Sequence, residues 1–183
     1  MLRKFYLVLV IVAVLTLPGC NQNALPPQAS SVNENIIVVG NVPFVKQQDK
    51  FCGPAAMASV MQFYGQDIDQ EAVAKQIYIP ELNGALISDM ENFARDNGFN
   101  TLSTNGDFEL LKSHLDNNHP VILLVDRGKW KVSVPHYYVA YGYNDERRTI
   151  ILHTGYKETQ EVSFEKLDRE WKKMNRLMLV VSK

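Results

Sequence analysis

Gln47-Gln48-Asp49-Lys50-Phe51-Cys52-Gly53-Pro54-Ala55-Ala56 is the stretch on which the reading of this chain turns. It sets a cysteine at the start of a helix, with an amide side chain a short way upstream. Gly53 permits a sharp backbone turn and the close approach of another group. Pro54 suits the first helical position, where a missing N–H costs nothing. Met57, Val60, Met61 and Tyr64 recur at helical spacing, so one face of this helix is apolar and buried. Cys52 is therefore expected at the positive end of a core-anchored helix, where the field favours the nucleophilic thiolate. A lone cysteine in such a place is ordinarily a small buried residue. The coincidence of Gln47, Cys-Gly-Pro and the helical phasing makes Cys52 a candidate nucleophile instead.

The 183 residues carry a net charge of −1 and are 46% hydrophobic, which fits one globular domain plus an N-terminal extension. No basic stripe is present, and a nucleic-acid partner is not expected. Residues 1–20 read as a targeting segment. Arg3 and Lys4 precede an apolar run from Phe5 to Leu17 that is short for a membrane span. The run ends in Leu17-Pro18-Gly19-Cys20, which resembles the lipobox of bacterial lipoproteins, with Pro18 as a departure from its usual pattern. That resemblance implies a lipid at Cys20, export, and a membrane anchor. In a Gram-negative cell, Asn21 would point to the outer membrane facing the periplasm. Residues 21–35 are polar and proline-bearing, a flexible tether. The chain has two cysteines, Cys20 and Cys52, so a lipidated Cys20 leaves Cys52 without a disulfide partner. A lone thiol in an oxidising compartment is a liability unless it has a use.

Residues 36–183 form the expected domain. Ile36 to Val39 reads as a strand. After the Cys52 helix, Asp69 caps a second helix that Pro80 ends, Leu86 opens a third, and Asp107 caps a fourth. Beyond Pro120 the texture changes. Val121 to Val125, Pro135 to Tyr143 and Thr149 to Thr154 read as strands, the last two joined by the charged turn Asn144-Asp145-Glu146-Arg147-Arg148. Ser163 caps a final helix bearing Phe164, Leu167 and Trp171, and Leu177 to Val181 is a closing strand. Helices first and an antiparallel sheet afterwards is an α+β order.

Val42-Pro43-Phe44-Val45-Lys46-Gln47 followed by Cys52-Gly53-Pro54-Ala55-Ala56 resembles the bacteriocin-processing cysteine peptidases, which cut double-glycine leader peptides, and their stand-alone relatives. The resemblance spans roughly residues 36 to 182. It implies a papain-like fold, a helical half carrying the cysteine and a sheet half carrying a histidine. His136 opens a strand far downstream, and there the resemblance implies the general base. A base brought from the other half of the fold is what a Cys-His pair needs. Gln47, rather than its neighbour Gln48, matches the family's oxyanion donor, with the Cys52 backbone N–H as second donor.

The family usually places an Asp on the strand after the histidine. Here that region is Ile150-Ile151-Leu152-His153-Thr154-Gly155 and holds no carboxylate. His153 is the candidate for the orienting role, a carbonyl being another possibility. Asp145 lies in the charged turn. His114 and His119 read as surface or structural residues, neither has metal-ligand spacing, and no cofactor or metal is implied.

The resulting expectation is a membrane-tethered cysteine peptidase that hydrolyses peptide bonds of an exported peptide or protein. Two other readings stand beside it. One is a cell-wall peptide amidase on the same scaffold, with a Cys-His-His site but without the Asp-Cys-Ser setting usual there. The other is a non-catalytic lipoprotein that holds a peptide. Tyr137, Tyr138, Tyr141 and Trp130 could line a groove, although strand aromatics more often belong to the core.

Overall fold

Val121–Asp126 (β3) is buried at all six positions because both of its faces are covered. Val121, Leu123 and Val125 pack with Tyr138, Leu167 and Trp171 on one side. Ile122 and Leu124 pack with Met57, Val60 and Tyr137 on the other. One sheet thus separates two apolar cores. The computed structural model describes residues 36–183. The expected signal segment 1–20 with Cys20 and the tether 21–35 lie outside the described residues.

The remaining strands are Ile36–Val38 (β1), Asn100–Asn105 (β2), Pro135–Asn144 (β4), Thr149–His153 (β5), Gln160–Ser163 (β6) and Leu177–Ser182 (β7). They form a seven-stranded antiparallel sheet in the order β2-β7-β3-β4-β5-β6, with β1 also pairing β4. Strand β4 is long enough to hold two partners end to end on one edge. Val121 of β3 lies opposite Ala140, and Val38 of β1 lies opposite Gly142. Along the other edge β5 pairs with a register shift between Ala140 and Gly142. A Cβ at Gly142 would come within 2.6 Å of the Ile37 carbonyl oxygen, so the close approach of β1 requires glycine there.

Among the described residues, five α-helices cover the sheet. Cys52–Phe63 (α1), Gln70–Ile77 (α2) and Ile87–Asp96 (α3) contribute to the core that holds Tyr137. Phe108–Asp116 (α4) and Phe164–Trp171 (α5) contribute to the core that holds Tyr138. The expected caps form. Asp69 accepts from Ala72 N at 2.7 Å, Asp107 from Leu110 N at 2.8 Å and Ser163 from Lys166 N at 3.2 Å. Each satisfies an orphan donor of a first turn, worth about 1 kcal/mol.

The expected α+β architecture is present, with three local corrections. Helix α1 does not bury a single stripe: Gly53 through Met61 are all buried, because the helix is wedged among β4, α2 and α3. Ala55, Ala56, Ala58 and Ser59 make that fit possible. The first half is also less helical than its pattern suggests, since β2 intervenes between α3 and α4. Strand β6 precedes α5. Both unexpected strands are polar and stand at the two ends of the sheet order.

Candidate active site

Helix α1 begins at Cys52 itself, and its first internal bond runs from Ala55 N to the Phe51 carbonyl at 2.8 Å. Pro54 is thus third rather than first, but its missing N–H still falls in the turn whose amides have no helical partner. Gly53 serves packing more than turning. A Cβ there would sit 3.0 Å from Ala85 Cβ and 3.4 Å from a Tyr137 ring carbon. The bare backbone lets the start of α1 press against β4, where the Tyr137 hydroxyl donates to the Ala85 carbonyl at 3.0 Å.

Cys52 is partly buried. Burial pushes its thiol above the ordinary value. Backbone hydrogen bonds from Tyr137, Gly53 and Cys52 itself, and the Arg127 charge, pull the other way without prevailing. Desolvation therefore opposes the thiolate that the helix start was expected to favour. Cys52 and Tyr137 line one groove, and Tyr137 follows His136 in β4, so Cys52 lies by the end of the strand that carries the histidine.

His136 is 5% exposed. Its Nε2 lies 2.9 Å from the Thr154 carbonyl oxygen. A carbonyl only accepts, so Nε2 carries the proton and Nδ1 keeps the lone pair. Burial pushes His136 below its ordinary value. The Thr154 carbonyl and Glu170 oppose this, and Arg127 adds to it. Burial thus works against charge on both Cys52 and His136.

His153, the candidate orienting residue, is 6% exposed and faces elsewhere. Its Nδ1 meets the Glu158 carbonyl, and its Nε2 lies 3.1 Å from the Val42 carbonyl. Tyr141 packs on its ring at 4.3 Å between centroids. His153 ties the β5 end to the segment after β1. The group on His136 is the backbone of the next residue, Thr154.

Gln47 is 8% exposed, and its backbone N–H donates to the Gly155 carbonyl at 2.9 Å. Its side-chain Nε2 donates to the Tyr156 hydroxyl at 3.0 Å, while its Oε1 is buried with no hydrogen-bond partner. Gln48 is exposed, and its side chain turns to Glu71. Of the two amides, only Gln47 reaches the segment beside His136. Tyr156 was not singled out in the sequence. Its ring stacks on His136 with a 10° interplanar angle and 5.9 Å between centroids.

A groove of about 470 Å³ opens from Cys52, bounded by Leu82, Leu86, Leu124, Tyr137 and Leu177. Its walls are mainly apolar. Tyr138 and Tyr141 are core, whereas Trp130 is fully exposed in the loop before β4. Asp126 organises that loop by accepting from Gly128 N at 2.7 Å, Val134 N at 2.8 Å and the Ser133 hydroxyl at 3.0 Å. His114 and His119 line a separate concavity between α4 and β2. His119 Nδ1 lies 2.9 Å from the Tyr64 hydroxyl. Among the described residues no three His, Cys, Asp or Glu are grouped to hold a metal. None of the described helices is long and apolar enough to cross a membrane.

The profile of the Peptidase_C39 like family matches residues 39–179. Among solved structures, the peptidase domain of Streptococcus ComA, a bifunctional ABC transporter involved in a quorum-sensing pathway, is 26% identical. It superposes with a TM-score of 0.65, covering 77% of this chain and 98% of that domain. A putative C39-like peptidase from Bacillus anthracis gives 18% identity and a TM-score of 0.66 over 81% of this chain and 98% of that one. A double-glycine-motif protease from an AMS/PCAT transporter, in complex with the leader peptide, gives 19% and 0.61 over 76% and 90%. The last two likenesses are of fold. No curated protein matches the chain.

Proposed function

Given that the chain belongs to the Peptidase_C39 like family, we propose that it hydrolyses peptide bonds through Cys52 and His136, with Gln47 as oxyanion donor. The observation that carries this reading is the His136–Thr154 bond. It leaves Nδ1 as the basic nitrogen, at the start of the strand whose next residue, Tyr137, lines the same groove as Cys52.

Burial disfavours charge on both groups, and the reaction is written from thiol and imidazole. His136 Nδ1 takes the thiol proton as the sulfur attacks the scissile carbonyl. The developing oxyanion accepts from Gln47 Nε2–H and the Cys52 backbone N–H. His136 then gives its proton to the leaving amine, and the amine departs from an acyl-Cys52. Water, deprotonated by His136, releases the acid and restores the thiol. No cofactor takes part.

The apolar groove beside Cys52 suits an extended peptide carrying apolar side chains. The substrate is an exported peptide or protein, and the enzyme is tethered to a bacterial membrane by a lipid at Cys20. The similarity of the double-glycine protease, seen with its leader peptide, supports a peptide ligand. The cell-wall amidase reading drew on a Cys-His-His set, and His153 turns its nitrogens to carbonyls rather than to His136.

Cys52→Ala should abolish cleavage of a defined peptide library while leaving the unfolding temperature within a few degrees of wild type. Retained cleavage by that variant would rule this mechanism out.

A further inference from the structure

Tyr156 follows Gly155, which holds a φ of +79°, a left-handed backbone that favours glycine. A Cβ at 155 would also collide with the Gln47 side-chain oxygen, so that oxygen lodges against the bare Cα. The amide of Gln47 is thereby held at both ends: Oε1 on Gly155 and Nε2 on the Tyr156 hydroxyl. Nε2 carries two hydrogens, and Tyr156 takes one. The second N–H remains for a ligand oxygen, with its direction set.

The same tyrosine lies nearly parallel to the His136 ring. The Arg127 guanidinium carbon is 5.9 Å from the tyrosine ring centre. Thr154 grips His136 at one nitrogen only, through a neutral acceptor, and Tyr138 meets the ring edge-on at 5.2 Å between centroids. Tyr156 adds a parallel aromatic surface against the imidazole. Tyr156 is 58% exposed, so the packing of the core does not explain its placement. It touches the two side chains that flank Cys52 in the proposed chemistry.

We propose that Tyr156 is a positioning residue for acyl transfer at Cys52: its hydroxyl aims the Gln47 donor, and its ring fixes the plane of His136. This inference rests on the peptidase reading above. Preorganised donors act on the oxyanion without reorganising during the reaction, and a donor left free to swing loses part of that advantage.

The test uses the full chain and two reagents. Iodoacetamide alkylates the Cys52 sulfur by direct displacement and forms no oxyanion. A p-nitrophenyl ester of an N-acyl apolar amino acid acylates the same sulfur through a tetrahedral oxyanion. Tyr156→Phe keeps the ring and loses the hydroxyl. It should slow acylation about tenfold, the scale of one lost neutral hydrogen bond. Its iodoacetamide rate and the pH profile of that rate should not change. Combined with Gln47→Ala, it should add no further slowing, because without the Gln47 donor the hydroxyl has nothing to aim. Tyr156→Leu should slow acylation too and should also shift the alkylation pH profile, since the His136 stack is gone. Wild-type acylation in Tyr156→Phe, or slowing that multiplies with that of Gln47→Ala, would overturn the inference alone. Acylation of the wild type no faster than that of His136→Ala would overturn the peptidase reading and this inference with it. The exposure of residue 156 leaves folding intact, which thermal unfolding of each variant checks.

Discussion

Two buried histidines, at the start of β4 and at the end of β5, show how backbone surroundings divide a site from its scaffold. His136 meets one carbonyl, that of Thr154, and keeps its second nitrogen free. His153 meets two, those of Glu158 and Val42, and has none left over. A neutral imidazole donates only once, so a ring between two carbonyls serves as a tie, whereas a ring on one carbonyl is a base held in a defined tautomer. The residue type is the same, the burial is nearly equal, and the strands are neighbours. What differs is the number of acceptors that the backbone presents.

The sharpest way to break this contrast is to remove each ring. His136→Ala should lower acylation of Cys52 by about 10²- to 10⁴-fold, the usual weight of a general acid–base. His153→Ala should change acylation less than tenfold. It should instead cost about 1–3 kcal/mol of stability, because a buried carbonyl loses its donor. A reversal of those roles, read from burst kinetics and denaturant unfolding, would sink the assignment. Gln47→Ala comes next, with a loss of about 10²- to 10³-fold in turnover, as for one oxyanion donor. An effect confined to KM would show that Gln47 binds substrate equally in both states.

The smallest effect concerns Asp126, which shapes the loop carrying Arg127. The Val134 amide, then the Gly128 amide, the Ser133 hydroxyl and the Lys173 charge hold its carboxyl below the ordinary range, against the cost of burial. A carboxyl depressed in the folded state binds fewer protons there than in the unfolded chain. Its stabilisation is therefore complete above the unfolded value of about 3.9 and drains as pH falls through the lower folded value. Asp126→Ala should be about 1–3 kcal/mol less stable at neutral pH. The gap from wild type should narrow below about pH 4. A gap that stays constant down to acid unfolding would mean that the charge is not what holds the loop.

How much of this was legible in the sequence follows the range of each interaction. Helix caps and the β3 run are local signals, and Asp69, Asp107, Ser163 and Val121 through Val125 could be read directly. Strands β2 and β6 could not. At the sheet's ends they need no apolar alternation, and Asn-Thr-Leu-Ser-Thr-Asn reads as a loop. Cys52, His136 and Gln47 stood out through residue type and their family setting, and the structure gathers the segments that bear them. The acceptor on His136 had no such signal, because every residue has a carbonyl. Tyr156 and Gln47 are 109 positions apart, so only the folded chain shows that they touch. Gly155, a glycine just after a strand, was the one local hint that a side chain approaches closely there.

The central claim is that Cys52 performs acyl transfer with His136 as its base. Its most direct test is intact-mass analysis of the full chain after brief exposure to a p-nitrophenyl ester at pH 7, in wild type and in His136→Ala. One acyl group on Cys52 within the release burst, formed at least a hundredfold more slowly in the variant, is the predicted result. Acyl groups on lysines alone, or equal rates on Cys52 in both proteins, would contradict it.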